Sequence, residues 1–144
     1  MLSKKAKYAL KALILLAQNP VEAMIIADIA TRQNIPKKFL EAILVELKKN
    51  GLLYSSRGRL GGYRLLKSPK DITIGQVIRI IDDPLVNPLC SSRQAYTPCV
   101  ECIQEENCII RLTMLKVQEA TVKILDSTTL SDAVTYHMIQ NYYR

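Results

Sequence analysis

Four cysteines lie close together in this chain. Cys90, Cys99, Cys102 and Cys108 all fall within the stretch LCSSRQAYTPCVECIQEENC, and the other residues of the 144 include none. Thiolates are soft ligands. Four of them on one irregular segment suit an iron–sulfur cluster, and the same set suits tetrahedral zinc. The spacing is C-x8-C-x2-C-x5-C. Its C-x2-C step belongs to both kinds of site and does not choose between them. Four cysteines also allow three disulfide pairings, which makes reversible thiol oxidation a third chemistry. Thiols with no ligand at all are the fourth reading. The single histidine, His137, stands far along the chain and reads as a tail residue rather than a ligand. Arg93, Glu101 and Arg111 flank the thiols and read as exposed side chains.

Compartment and charge narrow these readings. The N-terminus MLSKKAKYALKALILLAQ starts like a secretory leader, but Lys11 breaks its apolar run and no small-residue cleavage site follows. No uncharged stretch reaches the ~18 residues of a membrane span. The expectation is a cytoplasmic protein without a membrane partner, where clustered cysteines point to metal or redox work before a structural disulfide. The net charge is +7. Residues 1–72 carry 14 Lys and Arg against 5 Asp and Glu, while residues 73–144 carry 6 against 8. A basic half joined to a slightly acidic half suggests that the first half meets a polyanion.

The elements that must position these groups can be read from periodicity. KKAKYALKALILLAQ, residues 4–18, is an amphipathic helix with Ala6, Leu10, Leu13, Ile14 and Ala17 inward, stopped by Asn19-Pro20. Residues 25–33 form a short helix with Ile26, Ile29 and Ala30 inward, and Asn34-Ile35 is a tight connection. A third helix starts near Pro36 and stops at Gly51. Its apolar face is Phe39, Leu40, Ile43, Leu44 and Leu47. The other face shows Lys37, Lys38, Glu41, Val45, Lys48 and Lys49. Two short strands, Leu52–Ser55 and Gly62–Leu66, flank a glycine-rich tip. Thr73 and Gln76 form a capping box that opens the helix TIGQVIRIID. Pro84, Pro88 and Pro98 argue against regular structure in the cysteine segment. From Ile109 to about Asp126 a long helix follows. Leu112, Leu115, Val122 and Leu125 line one seam, and Ile110, Met114, Val117 and Ile124 line a second. That face is too wide for one contact with a small domain. A short cap from Thr129 to Met138 and a tail complete the chain.

Helix, helix, tight turn, helix, hairpin is the order of a winged helix-turn-helix. The fold class expected is mainly α with a small β-hairpin wing, plus a long C-terminal helix, to which the family resemblance given below assigns dimerisation. The chain divides into a DNA-binding part at 1–83, a cysteine-rich sensor loop at 84–108, and that long helix with its cap at 109–144. A major groove admits one α-helix, whose N-terminal end usually reaches the base edges. Lys37 and Lys38 are placed to donate to guanine or phosphate, and Glu41 to accept from cytosine N4. Arg57 and Arg59 at the glycine-rich tip suit a narrow minor groove. Lys4, Lys5 and Lys7 suit the phosphate backbone. No phosphate loop, paired-carboxylate site or Ser/His/Asp or Cys/His set is present, so the sequence is not that of an enzyme.

KYALKALILLA, IADIATRQNIPKKFLEAILVELKKNGLL, SSRGRLGGYRLLK, TIGQVIRIID and STTLSDAV together resemble the Rrf-two-type family of bacterial winged helix-turn-helix regulators, the IscR-, NsrR- and CymR-like proteins. The resemblance runs from Lys5 to about Val134, and NGLLYSSRGRLGGYRL carries most of its specificity. It implies a homodimer on a palindromic operator in double-stranded DNA, with helix 109–126 packed against its partner. It implies that Glu41 reads bases and that Arg57 enters the minor groove. Pro36 and Lys38 stand where IscR-like members have serines near DNA, which changes the operator expected. IscR-like and NsrR-like members space three cysteines C-x5-C-x5-C. Cys90, Cys102 and Cys108 match these with a longer first gap. The fourth ligand of IscR-like members, a histidine, falls on Arg111, and that of NsrR-like members, an aspartate, on Lys7. Cys99 is the substitute. The favoured reading is therefore a DNA-binding regulator sensing redox, iron–sulfur or nitric-oxide status through a cluster on Cys90, Cys99, Cys102 and Cys108. The alternatives are a cluster-free thiol switch, a CymR-like regulator acting through a protein partner, a zinc site, or a small iron–sulfur electron carrier.

Overall fold

The first helix begins where Ser3 can cap it. The Ser3 hydroxyl accepts from the Ala6 N–H at 3.0 Å, and α1 runs Lys4–Gln18. Serine at this position satisfies one of the amides that the first turn leaves unpaired. In the computed structural model, which describes residues 2–58, 61–82 and 107–142 (residues 137–142 by their backbone alone), α1 buries Ala6, Ala9, Ala12, Leu13 and Leu16. Small alanines on that face let four other helices approach it closely. Contacts run from α1 to α2 (Ile26–Gln33), α3 (Lys37–Lys49), α4 (Ile74–Asp82) and α6 (Leu130–Tyr142).

The turn between α2 and α3 is set by Asn34, the one non-glycine residue with positive φ among those described, at φ 51° and ψ 55°. Asparagine tolerates this left-handed conformation better than branched residues do. Ile35 N–H then donates to Ala30 O at 2.9 Å, and its side chain is buried. Pro36 occupies the N-cap of α3, and its carbonyl accepts from Phe39 and Leu40. The fixed reversal holds α3 against α1 and α2 through Leu40, Ile43, Leu44 and Leu47, all buried. Phe39 is not part of that face: it is 44% exposed. A single residue step turns it by about 100° from Leu40, and its ring meets Tyr8 edge-on instead, with centroids 5.8 Å apart.

The wing is antiparallel, with β1 (Leu53–Ser56) paired to β2 (Gly62–Leu65) in the register Leu53↔Leu65 to Ser56↔Gly62. Each strand differs by a residue from the sequence expectation. Leu52 instead donates back to Leu47 O, closing the end of α3 at Gly51, whose φ is 71°. The sequence gives no sign of a third strand segment, but Met24 and Tyr63 exchange both backbone hydrogen bonds at 2.9 Å. This bridge attaches the wing to the loop before α2. Gly62 makes it feasible: a Cβ there would lie 2.6 Å from the Met24 carbonyl carbon.

Thr73 caps α4 as expected, accepting from Gln76 N–H at 3.1 Å. After α4 the chain resumes at α5 (Ile109–Ser127), then turns at Thr128–Thr129 into α6, which continues through Tyr142 rather than ending as a short cap. Thr129 opens α6 with a reciprocal cap. Its hydroxyl accepts from Asp132 N–H at 3.1 Å, and the Asp132 carboxylate accepts from Thr129 N–H at 2.8 Å. Two backbone bonds of 2.9 Å, Ile74 N–H to Thr128 O and Leu130 N–H to Ile72 O, stitch this corner to the start of α4. Leu130 is fully buried in the same core as Leu13, Leu40 and Leu47.

No residue of α5 is buried. Of the first apolar seam read from the sequence, Leu115, Val122 and Leu125 are half-buried and Leu112 is exposed; of the second, Met114 is half-buried, and Ile110 (70%), Val117 (48%) and Ile124 (63%) are exposed. Among the described residues no helix is long and apolar enough to cross a membrane.

Candidate nucleic-acid interface

With one side of α3 in the core, the opposite side is fixed by helical geometry. Lys37, Lys38, Glu41, Ala42, Val45 and Lys49 face outward. Lys38, Glu41, Ala42, Val45, Glu46 and Lys49 line a shallow groove of about 710 Å³. At its N-terminal end, Lys37 and Glu41 also line a cleft of about 360 Å³ with Ile25, Ile26, Gly62 and Tyr63. This cleft sits where the α2 N-terminus, the α3 N-terminus and the wing converge.

Both flanks of α3 are braced. Toward α1, Glu46 pairs with Lys5 at 2.6 Å, and Phe39 meets Tyr8, over which the Lys4 ammonium sits 5.9 Å from the ring centroid. Toward the wing, Lys48 Nζ donates to Ser55 Oγ at 2.6 Å. Lys11 Nζ donates to Gln33 O at the end of α2. Of the N-terminal lysines expected to hold phosphate, Lys5 is engaged by Glu46, while Lys4, beside the Tyr8 ring, and Lys7 are exposed. The braces orient α3, and the sequence signalled none of them except as isolated charges and aromatics.

At the wing tip, Arg57 is exposed and precedes Gly58, whose φ is 104°. Gly61 N–H donates to Gly58 O at 2.9 Å, and a Cβ on Gly61 would lie 2.6 Å from Ser56 O. Glycine therefore closes the tip that carries Arg57. Arg59 lies outside the described residues. Glu41 and Lys37, one helical turn apart, face the same cleft, and Arg57 stands on the adjoining wing.

Of the four thiols, Cys90, Cys99 and Cys102 lie outside the described residues. Cys108 is half-buried and is the N-cap of α5, with its carbonyl accepting from Leu112 N–H at 3.0 Å. A single cysteine so placed fits a ligand's chemistry, and it ties any ligand it holds to the first turn of the longest helix.

The helical core, fixed turn, outward basic helix and hairpin wing define a winged helix-turn-helix DNA-binding regulator. The chain belongs to the Rrf2 family, described as "Iron-dependent Transcriptional regulator", whose model matches residues 2–136. An rrf2-like HTH-type transcriptional regulator of Rhodobacter capsulatus is 46% identical over 136 residues, covering 92% of this chain and 91% of that one. Among solved structures, CymR, the global cysteine regulator of B. subtilis, aligns with a TM-score of 0.79 at 30% identity, covering 94% of this chain and 97% of that one. IscR of T. potens aligns with a TM-score of 0.74 at 28% identity, covering 95% and 88%. The family consists of transcription regulators and not of enzymes, which leaves no ground for the electron-carrier alternative.

Proposed function

We propose that the protein is a homodimeric regulator in the cytoplasm that reads a palindromic operator with α3 and its wing, and that Cys90, Cys99, Cys102 and Cys108 hold an iron–sulfur cluster that sets its DNA affinity. The observation that carries the DNA reading is the outward face of α3, where Lys37, Lys38 and Glu41 project from a helix braced on both flanks. In this reading the two lysines take phosphate or guanine, Glu41 accepts from a cytosine amino group, and Arg57 and Arg59 enter the adjacent minor groove. Residues 1–83 read DNA, 84–108 sense, and 109–144 pair the subunits.

The dimer reading is supported by the exposed seam of α5. Ile110, Thr113, Val117, Ala120 and Ile124 follow one another at alternating steps of three and four residues. The order of sizes, large–small–large–small–large, reads the same from either end. Two antiparallel copies crossing at Val117 on a two-fold axis would set Ile110 of each against Ile124 of the other, so the large residues meet in pairs.

The sensing reading is supported by the donor set and by the seat of Cys108. A bound cluster supplies a site whose charge and ligation change with redox or nitrosative conditions. The protein's own part is mechanical. Cys108 sits at the head of the first turn of α5, and the last turn of α5 with the corner after it is fixed to α4 by Arg79–Asp126 and Ile74–Thr128. Any change in how Cys108 is held bears on α5 as a lever, and so on the spacing of two reading units that must stand about one helical turn (~34 Å) apart on DNA. In this reading the dimer has two geometries that differ in that spacing, and their equilibrium shifts only as far as the ligand prefers one of them.

A cluster-free thiol switch is the second reading. It is favoured by the alignment with CymR and by the presence of Arg111 and Lys7 where the resemblance places fourth ligands. One experiment decides. Protein purified without oxygen is assayed for iron, sulfide and zinc and scanned in the visible range. Near-stoichiometric iron and sulfide, lost in Cys90→Ser, Cys102→Ser or Cys108→Ser, supports the cluster, with Cys99→Ser testing the fourth ligand. A colourless, zinc-free protein that cannot be reconstituted sinks it and leaves the thiol switch. DNA reading is tested separately. Glu41→Ala relaxes base preference at one operator position, at a cost of about 1–3 kcal/mol for the preferred base. Arg57→Ala instead lowers affinity broadly and reduces the salt slope by about one.

A further inference from the structure

The outward face of α3 is charged except at its centre. Ala42 and Val45 sit between Lys38 on one side and Lys49 on the other, at steps of four, three and four residues, so the four share one row of the helix. Val45 is 44% exposed. It is on the opposite side of α3 from the core residues Leu40, Ile43, Leu44 and Leu47 and adds nothing to that packing. Its branched side chain is also a poorer helix former than the lysines and glutamates around it. The isopropyl group of Val45 is the apolar point on a face otherwise suited to a polyanion, and Ala42 beside it has no side chain long enough to hold a base pair away.

We propose that Val45 is a specificity-determining residue that packs on the C5-methyl group of a thymine in the operator. The proposal rests on α3 being the helix that enters the major groove. There thymine differs from cytosine by O4 and by a methyl group, and only the methyl offers an apolar surface to meet. Charge on both sides favours this occupant. Lys38 and Lys49 bracket the row with cations for the two phosphate strands, and the Glu46 carboxylate at the rim is already matched by Lys5 at 2.6 Å. Val45 lies one turn beyond Glu41, so the thymine it reads neighbours the base that Glu41 reads.

The full-length protein is used to select from a pool of randomised duplexes, and the preferred duplex is titrated by fluorescence anisotropy with each thymine replaced in turn by uracil, which removes the methyl alone. The expected result is one thymine per half-site whose replacement weakens wild type about fourfold, the worth of one methyl withdrawn from water. Val45→Ala, a surface change that leaves the core intact, binds the thymine and uracil duplexes alike. The proposal falls if wild type is indifferent at every thymine, if the preferred site has no thymine beside the Glu41 base, or if Val45→Ala keeps the uracil penalty. Glu41→Gln separates the two levels. If it selects the same sequences as wild type, or if wild type selects none, the reading by α3 itself fails, and Val45 with it.

Discussion

Arg79 and Asp126 grip each other across 47 residues of chain, Nη2 to Oδ1 at 2.5 Å and Nη1 to Oδ2 at 3.3 Å. The pair joins α4, the last described element before the cysteine segment, to the last turn of α5, the first helix after it. Gly75 lies beneath the contact, against the backbone of Leu125. The last turn of α5 is thereby held to α4, while its first turn, next to Cys108, lies at the other end of the helix.

Both side chains are roughly 40% exposed, so solvent screens the pair and its worth is modest. Asp126→Ala is expected to cost about 0.5–1 kcal/mol in urea denaturation, given the range for exposed ion pairs. Adding Arg79→Ala should cost little more, because the two side chains share one interaction. Full additivity of the two losses would show that the pair is not coupled.

Gly62 is where the wing meets the Met24 segment, at φ 148° and with no room for a Cβ. Gly62→Ala is expected to destabilise the fold by about 2 kcal/mol or more through the strained φ and the backbone clash together. Chemical denaturation reads the loss. Amide exchange should show the Met24–Tyr63 hydrogen bonds opening first, before the α1–α3 core.

Val117 stands at the centre of the exposed α5 seam. Val117→Lys puts like charges against each other at the two-fold axis of the proposed dimer, so sedimentation velocity should show single chains where wild type shows pairs. Its far-ultraviolet spectrum should stay unchanged, since Val117 is not buried. A variant that still sediments as a dimer would move the interface off this seam.

The cap of α6 makes a pH prediction. Hydrogen bonds from the Thr129 backbone and hydroxyl hold the Asp132 carboxyl below its ordinary 3.8. A carboxyl with a lowered folded value stabilises the fold above the unfolded value and loses that contribution as pH falls through the folded one. Asp132→Asn should therefore melt below wild type at pH 7, and the two melting curves should draw together as pH falls below 3.8. A gap that persists unchanged to low pH would mean the charge is not what stabilises the corner.

Elements whose cause is local could be read from the sequence. Thr73 and Gln76 announced the α4 cap, Gly51 the end of α3, and alternating apolar residues the buried stripes. Thr129 and Asp132 carry the same capping signal, and it could have been found. Contacts that depend on distant partners could not be read. Phe39 looks like core by spacing, yet its ring leaves the core for Tyr8, because the direction of a side chain at the edge of a stripe is decided by the neighbouring helix. Met24 pairs with Tyr63 through backbone atoms, which no side-chain pattern encodes. The outward face of α3 was legible as charge, but the apolar interruption at Val45 stands out only once the opposite side is seen to be buried. Three of the four cysteines lie outside the described residues, so their arrangement stays at the level of spacing and chemistry.

The burial of Leu130 in one core with Leu13, Leu40 and Leu47 bears on how the protein is made. The helices that pack on α3 cannot complete that core until residue 130 has left the ribosome. A nascent chain halted before it lacks a side chain of a kind whose cut to alanine costs of the order of 2–5 kcal/mol when buried. In the reading proposed above, α5 is made before the core that holds α3 can close, so a chain able to present α3 firmly to DNA already carries its pairing helix.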